Sequence, residues 1–380
     1  MIFFISFLLV FFFCGSTNVS AIELTQYSKS AVLIEPSTNT LIYDLNKDER
    51  LAPASMTKLM TMLLIMESID EGKINLDDKV LISKNAASMG GSQVFLEENS
   101  EIEVEQLLKG IAIASGNDAA VAMAEYIAGN TEEFVNMMNN KVEELGLKNT
   151  NFVNVHGLDA ENHYSSAYDM SQIAIELLKY EKILEYTSLY EEYLVKPDGT
   201  KTWLVNTNKL VRFYEGVDGL KTGFTTNAKY CLTATGKKNN IRFVTVVMGV
   251  DTSEHRSVDT TSMLNYGFTN YKLNGIINKD DIVGEIDIKK GIIDKGSVST
   301  IRNVYDLVKQ NQNKNYSFVM NLNKITAPVT KGDVVGSMEI IDDSGKVVDI
   351  VEVVINESID KHNFFTLFIE NFKNIINGYL

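Results

Sequence analysis

The sequence predicts a mixed α/β protein of the α+β kind, and three observations lead there. Strand-like runs closed by turn residues occur near the N-terminus and again around residues 220–250. Between them lie apolar, alanine-rich stretches with helical spacing. Beyond about Asn274 the chain breaks into short alternating segments separated by Gly, Asp and Asn, the pattern of a small all-β domain.

In chain order, residues 1–21 form an apolar run followed by small and polar residues. Val19-Ser20-Ala21 suits signal peptidase, so export and cleavage after Ala21 are expected. The run lacks a basic start, which leaves an uncleaved anchor as the competing reading. SAVLIEPSTNTLIYDLN then reads as a hairpin turned at Pro36-Ser37-Thr38-Asn39. In LAPASMTKLMTMLLIMESI, Leu59, Met62, Leu63 and Met66 recur at helical spacing, placing Ser55 and Lys58 in the first turn, three residues apart on one face. Val104 to Ala128 reads as helix, loop, helix, interrupted at Ser115-Gly116-Asn117-Asp118, and a mainly helical stretch continues to about Glu192. LKTGFTTNAKYCLTATG and IRFVTVVMGV should pair as an antiparallel hairpin, and a helix near Thr260 to Tyr266 should close the domain.

SFVMNL, VVGSMEII and KVVDIVEVVI supply strands of the small β-domain. The last segment puts Phe364, Phe368, Phe372, Ile375 and Tyr379 on one face of an amphipathic helix, expected to lie on a membrane, with packing on the β-domain as the alternative. The expected division is a signal over 1–21, a first domain over 22–273, a β-rich domain over 274–357 and an anchor helix over 358–380.

Thirty-five basic against 50 acidic residues give a formal charge of −15, which argues against a nucleic-acid partner held by a basic surface. Cys14 follows Phe rather than a small residue and is a poor lipid-attachment site, which leaves Cys231 alone and excludes a disulfide framework. His156, His163, His255 and His362 show no metal-ligand spacing, so no metal or other cofactor is expected.

A serine hydroxyl becomes nucleophilic only beside a base, and Lys58 lies one turn from Ser55. Burial and a second cation nearby would make its neutral amine available. Ser-x-x-Lys alone says little: Ser358 to Lys361 repeats it, and a serine before an apolar helix is also an ordinary N-cap. Ser115-Gly116-Asn117 offers a hydroxyl and an amide on a tight loop, where a helix cap at Asn117 or Asp118 is the plain competing reading. Lys221-Thr222-Gly223 opens a strand, with the glycine permitting close approach of a ligand, although taken alone an ordinary turn before an edge strand is the favoured reading.

In the order Ser-x-x-Lys, Ser-x-Asn, Lys-Thr-Gly, these motifs resemble the set of penicillin-binding proteins and serine β-lactamases. SMGGSQVFLEENSEIEVEQLLKGIAIASGNDAAVAMAEYIAG and GLDAENHYSSAYDMSQIA resemble the low-molecular-mass D-alanyl-D-alanine carboxypeptidases, serine peptidases of the S11 type, over roughly Ile22 to Leu273. APVTKGDVVGSMEI is similar to the small β-domain that follows in this family. The resemblance implies a β-lactamase/transpeptidase-like domain, an antiparallel sheet with helices on both sides. It implies Ser55 as nucleophile toward a terminal D-Ala-D-Ala peptide, Lys58 as base and Ser115 as proton relay. Asn117 would hold the substrate amide, Lys221 would supply the second cation, and Thr222 and Arg256 would bind the terminal carboxylate. Gly223 completes that motif, and the N–H groups of Ser55 and Phe224 would form the oxyanion hole. The implied partners are peptidoglycan pentapeptides and β-lactams.

A class A β-lactamase would need a glutamate for deacylation. No Glu-x-x-Leu-Asn run lies between Asn117 and Lys221, although Glu176 and Glu181 keep that reading open. An endopeptidase acting on cross-links would share the same motifs, and a non-catalytic envelope protein could keep the fold without the chemistry.

Overall fold

A computed structural model describes residues 22–363 and, beyond them, residues 368, 372, 373, 375 and 376. The expected signal segment, with Cys14, and most of the expected C-terminal helix, including Phe364 and Tyr379, lie outside the described residues.

The first sheet is built around Ser30–Glu35, a strand buried at every position. Five antiparallel strands run in the spatial order Thr40–Leu45, Ser30–Glu35, Ile241–Val250, Lys229–Lys238 and Val217–Thr225. The hairpin read at Pro36–Asn39 forms because the Glu35 carboxylate accepts from Ser37 N, Thr38 N and Thr38 Oγ1, while Asn39 takes the left-handed conformation at φ 50°. Alternation sends Val32 and Ile34 to one face and Ala31 and Leu33 to the other. Helices cover both faces. The first packs on the Lys58–Asp70, Val104–Ala114, Asn117–Ala128 and Ala167–Leu177 helices, the second on Met263 and Leu264 of the Ser253–Asn270 helix.

LKTGFTTNAKYCLTATG contains two strands rather than one. It folds back at Thr226-Asn227-Ala228, so Phe224 pairs with Tyr230, and the expected pairing with IRFVTVVMGV belongs to its second half. The closing helix is longer than the Thr260 to Tyr266 core that its apolar residues suggested. It starts at Ser253 and is capped by Thr252, whose hydroxyl accepts from His255 N.

From Tyr271 onward the described chain is β-rich. Its six-stranded sheet has the order Tyr316–Leu322, Val334–Asp342, Val347–Ile355, Lys295–Thr300, Ile282–Lys289 and Ile325–Thr326. A core of its own gathers Ile286, Val298, Met338, Ile340, Val351 and Val353. Tyr271–Ile277 pairs with Val304–Lys309 in a two-stranded sheet beside it. Among the described residues no helix is long and apolar enough to cross a membrane.

Candidate active site

Ser55 does not cap a helix. It sits inside a 3₁₀ turn, Ala54–Thr57, that runs into the helix beginning at Lys58, and neither Pro53 nor Thr57 at the two starts makes a side-chain cap bond. The preceding Ala54 is left-handed at φ 48°, a conformation that costs an L-residue roughly 1–2 kcal/mol and must be held by its surroundings. Two segments hold it. A Cβ on Gly157 (φ 89°) would stand 1.9 Å from Ala54 O, so only glycine lets that loop lie against the turn. A Cβ on Gly223 would stand 2.7 Å from Pro53 O and 3.1 Å from Ala54 Cβ. Gly223 therefore serves close approach of the protein's own serine turn.

The helix after Ser55 is buried all round from Lys58 to Met66, which takes the Lys58 side chain out of water. Its Nζ lies 3.1 Å from Ser55 Oγ, 2.7 Å from Asn117 Oδ1 and 2.7 Å from His156 O. Burial, then the charge of Lys221, hold its pKa well below the usual lysine range, against a smaller opposing pull from Asp118. Lys221, equally buried, is lowered to about 7 by burial and then by Arg256.

Ser115 closes the Val104–Ala114 helix in the left-handed conformation, φ 64°, and its buried Oγ has no hydrogen-bond partner. A buried hydroxyl without a partner is costly and points to a ligand or a proton path. Asn117 begins the next helix. Lys58 can only face its carbonyl oxygen, so the amide nitrogen donates to Gly90 O at 2.7 Å. Asp118, by contrast, is structural: its carboxylate accepts from the N–H groups of Val94, Leu96 and Ala119 and pins the 90–96 loop beside the site.

Val217–Thr225 is the edge strand of the sheet, so alternate backbone N–H groups have no neighbouring strand. On it Lys221 Nζ donates to Thr222 O at 3.1 Å, Thr222 Oγ1 donates to Thr207 Oγ1 at 2.7 Å, and the Phe224 ring rests on Tyr230 with centroids 4.4 Å apart. Arg256 is not a surface residue. It is only 7% exposed, its guanidinium lies 5.9 Å from the Tyr230 ring centre, and its Nε has no partner. Two buried cationic side chains, Lys221 and Arg256, thus share one region with no carboxylate paired to either among the described residues. Such a place attracts an anion.

The structure brings Ser55, Lys58 and Asn117 into one hydrogen-bonded group, with Gly223 against the serine turn and the Arg256 charge felt at Lys221. Reading by motif missed His156, whose carbonyl holds Lys58, and Gly157, Gly90 and Thr207. Their contributions are backbone atoms, conformations or distant contacts that a short pattern does not display. Cys231 is fully buried and its thiol is pushed up to about 11, so it is inert packing. Glu176 is paired with Lys179 and Glu181 is exposed, so neither is a buried base at Ser55.

Residues 17–252 match the family model described as D-alanyl-D-alanine carboxypeptidase, and residues 271–361 match that of the penicillin-binding protein 5 C-terminal domain. The chain is 49% identical over 346 residues to D-alanyl-D-alanine carboxypeptidase DacF of Bacillus subtilis, covering 90% of this chain and 89% of the relative. It is 34% identical to D-alanyl-D-alanine carboxypeptidase DacA of Escherichia coli, covering 91% and 87%. The structure of penicillin binding protein 5 from Haemophilus influenzae superimposes with a TM-score of 0.75 at 30% identity, covering 90% of this chain and all of that one.

Proposed function

The chain belongs to the D-alanyl-D-alanine carboxypeptidase family, and from that premise we propose which of its residues carry the reaction. It is a serine-type D-Ala-D-Ala carboxypeptidase that removes the terminal D-alanine of peptidoglycan pentapeptides in the cell envelope, binds β-lactams and contributes to cell-wall or spore-cortex synthesis.

Ser55 is the nucleophile and Lys58 its base. The observation that carries this is the set of three oxygens around Lys58 Nζ. As a neutral amine Lys58 has two hydrogens, and Asn117 Oδ1 and His156 O can only accept, so both are used there. Its lone pair then faces Ser55 Oγ, whose hydrogen it takes as Oγ attacks the carbonyl carbon of the penultimate D-alanine. The oxyanion that forms is received by the N–H groups of Ser55 and Phe224, the first at a helix start whose dipole favours negative charge. Ser115, whose hydroxyl is otherwise without a partner, passes the proton to the nitrogen of the leaving D-alanine. Water hydrolyses the acyl-enzyme. Lys221, Thr222 and Arg256 bind the terminal carboxylate, Asn117 contributes its remaining N–H to the substrate amide while orienting Lys58, and Gly223 lets the strand lie against the serine turn.

A β-lactam acylates the same oxygen, but its opened ring stays attached and obstructs water. We assign residues 22–273 to the catalytic domain and 274–357 to the β-domain. Residues 1–21 are read as a cleaved signal, and residues 358–380 as a membrane-surface helix that keeps the enzyme at the outer face of the cytoplasmic membrane.

The test is D-alanine release from a muramyl pentapeptide against cleavage of a cross-linked dimer. Release from the pentapeptide is expected in the natural chain, with Ser55→Ala losing both release and covalent labelling by fluorescent penicillin. Labelling that persists in Ser55→Ala would remove Ser55 from its role.

A further inference from the structure

The strand Ile282–Lys289 ends in a turn, Lys290-Gly291-Ile292-Ile293, whose shape is set by packing. Lys290 is left-handed at φ 58°, and a Cβ on Gly291 would meet Ile293 O at 2.7 Å and Ile359 Cγ2 at 2.9 Å. Beyond that tight glycine the next two side chains turn outward. Ile292 is 49% and Ile293 53% exposed, so two adjacent isoleucines stand in water on this turn.

The same turn is tied to the end of the chain. Ile292 N donates to Asp360 O at 2.9 Å, Gly291 bridges Lys361, and His362 N donates to Lys290 O at 3.0 Å. The tip and the point where the C-terminal segment departs are therefore one unit. Six residues further on, a span of at most about 20 Å, the exposed apolar residues Phe368, Phe372, Ile375 and Ile376 begin, each in helical conformation. Lys289, Lys290 and Lys361 surround the turn, exposed and without an ion pair among the described residues, on a chain whose net charge is −15. Asp294 and Asp360 are the acidic neighbours, and Lys295 is paired with Glu285.

We propose that the Ile292–Ile293 turn is a second membrane contact, inserting both side chains into an anionic bilayer beside the C-terminal segment, with Lys289, Lys290 and Lys361 set against the lipid phosphates. The proposal rests on the reading of residues 358–380 as membrane-bound and adds a site to it. One weak insertion holds a protein only transiently, whereas two short apolar contacts plus a few lysines hold it stably. Two contact points also fix the orientation of the β-unit on the surface, which a single contact does not.

The experiment is partition of the full exported chain onto vesicles of equimolar phosphatidylglycerol and phosphatidylcholine, and onto phosphatidylcholine alone. Ile292→Asp with Ile293→Asp is expected to weaken partition onto the mixed vesicles about tenfold, with penicillin acylation unchanged as the check on folding. Lys289→Gln with Lys290→Gln is expected to weaken binding to the mixed vesicles only. Ile293→Trp in a Trp203→Phe background, which leaves one indole, should blue-shift when mixed vesicles are added. Partition of the aspartate variant equal to the natural chain, or an indole that stays in water on bound protein, overturns the turn contact while leaving the tail reading intact. If the natural chain binds neither vesicle, the tail reading fails and the proposal falls with it.

Discussion

Lys58 has three oxygen neighbours and, in its proposed role as a base, only two hydrogens to give them, so on that proposal its protonation state decides whether Ser55 is activated. Protonation supplies a third N–H, removes the lone pair and stops the reaction. The rate should therefore fall on the acid side as Lys58 gains its proton, with kcat/KM there varying inversely with [H⁺]. His156 and His163 are held down to about 4, chiefly by burial, and stay neutral through the working range. On the alkaline side Lys221, lowered to about 7 in the free enzyme, loses the charge proposed to attract the substrate carboxylate. In Lys221→Arg that charge persists, so the alkaline fall in a kcat/KM profile for D-alanine release is expected to move up or vanish while the acid limb remains. The same lysine costs stability. Unfolded it protonates at its ordinary 10.5, folded only at about 7, so the unfolded chain holds the extra proton across that window and stability declines as pH drops through it. Lys221→Met at neutral pH should accordingly raise Tm by several degrees, about 1–2 kcal/mol, while activity falls at least 10²-fold. A variant that melts lower would show that Lys221 stabilises the fold.

Three elements meet at the serine turn, and glycines set how close they come. The Gly157 loop touches Ala54 O and the Val217–Thr225 strand touches Pro53 O through Gly223, so the left-handed Ala54 is clamped from two sides. Gly157→Ala should displace the turn that presents Ser55 and slow penicillin acylation by 10² or more, with a loss of about 3 kcal/mol or greater in denaturant unfolding. Gly72→Ala is the control: φ is 69° there as well, but nothing lies within 4 Å of the added carbon, so only backbone strain of about 1 kcal/mol is expected and acylation should be untouched. At this scale the chain was partly legible. Hairpin residues, the helix, loop, helix pattern around Ser115, and the strand runs all carry short-range signals. The fold-back within LKTGFTTNAKYCLTATG was not, because Thr-Thr-Asn-Ala lacks a glycine or proline to mark it. Helical spacing in LMTMLLIM likewise hid that the helix is enclosed on every side, since a buried helix shows no contrast between faces.

Across the whole molecule the proposed catalytic chemistry and the proposed surface attachment fall to different parts. Ending the chain after Asn363 preserves the pairing of Val329 with Ile359 and of Gly291 with Lys361, so the β-unit should stay folded. Such a truncation is expected to release the protein from membranes while turnover of a soluble pentapeptide stays within about twofold of the full chain; retention at the membrane would place attachment elsewhere. The sequence by itself determined the order of motifs, the residue types able to do acyl transfer, the α+β class and the change to a β-rich second half, because each depends on neighbours close along the chain. Only the tertiary structure decided that Ser55 lies in a 3₁₀ turn instead of capping a helix, that Arg256 is buried beside Lys221, and that His156 O and Asn117 Oδ1 take the hydrogens of Lys58. These depend on segments far apart in the chain being packed to within hydrogen-bond distance. The reactivity proposed for Ser55 depends on that packing, because burial and a neighbouring charge, not the spacing Ser-x-x-Lys, lower the Lys58 pKa.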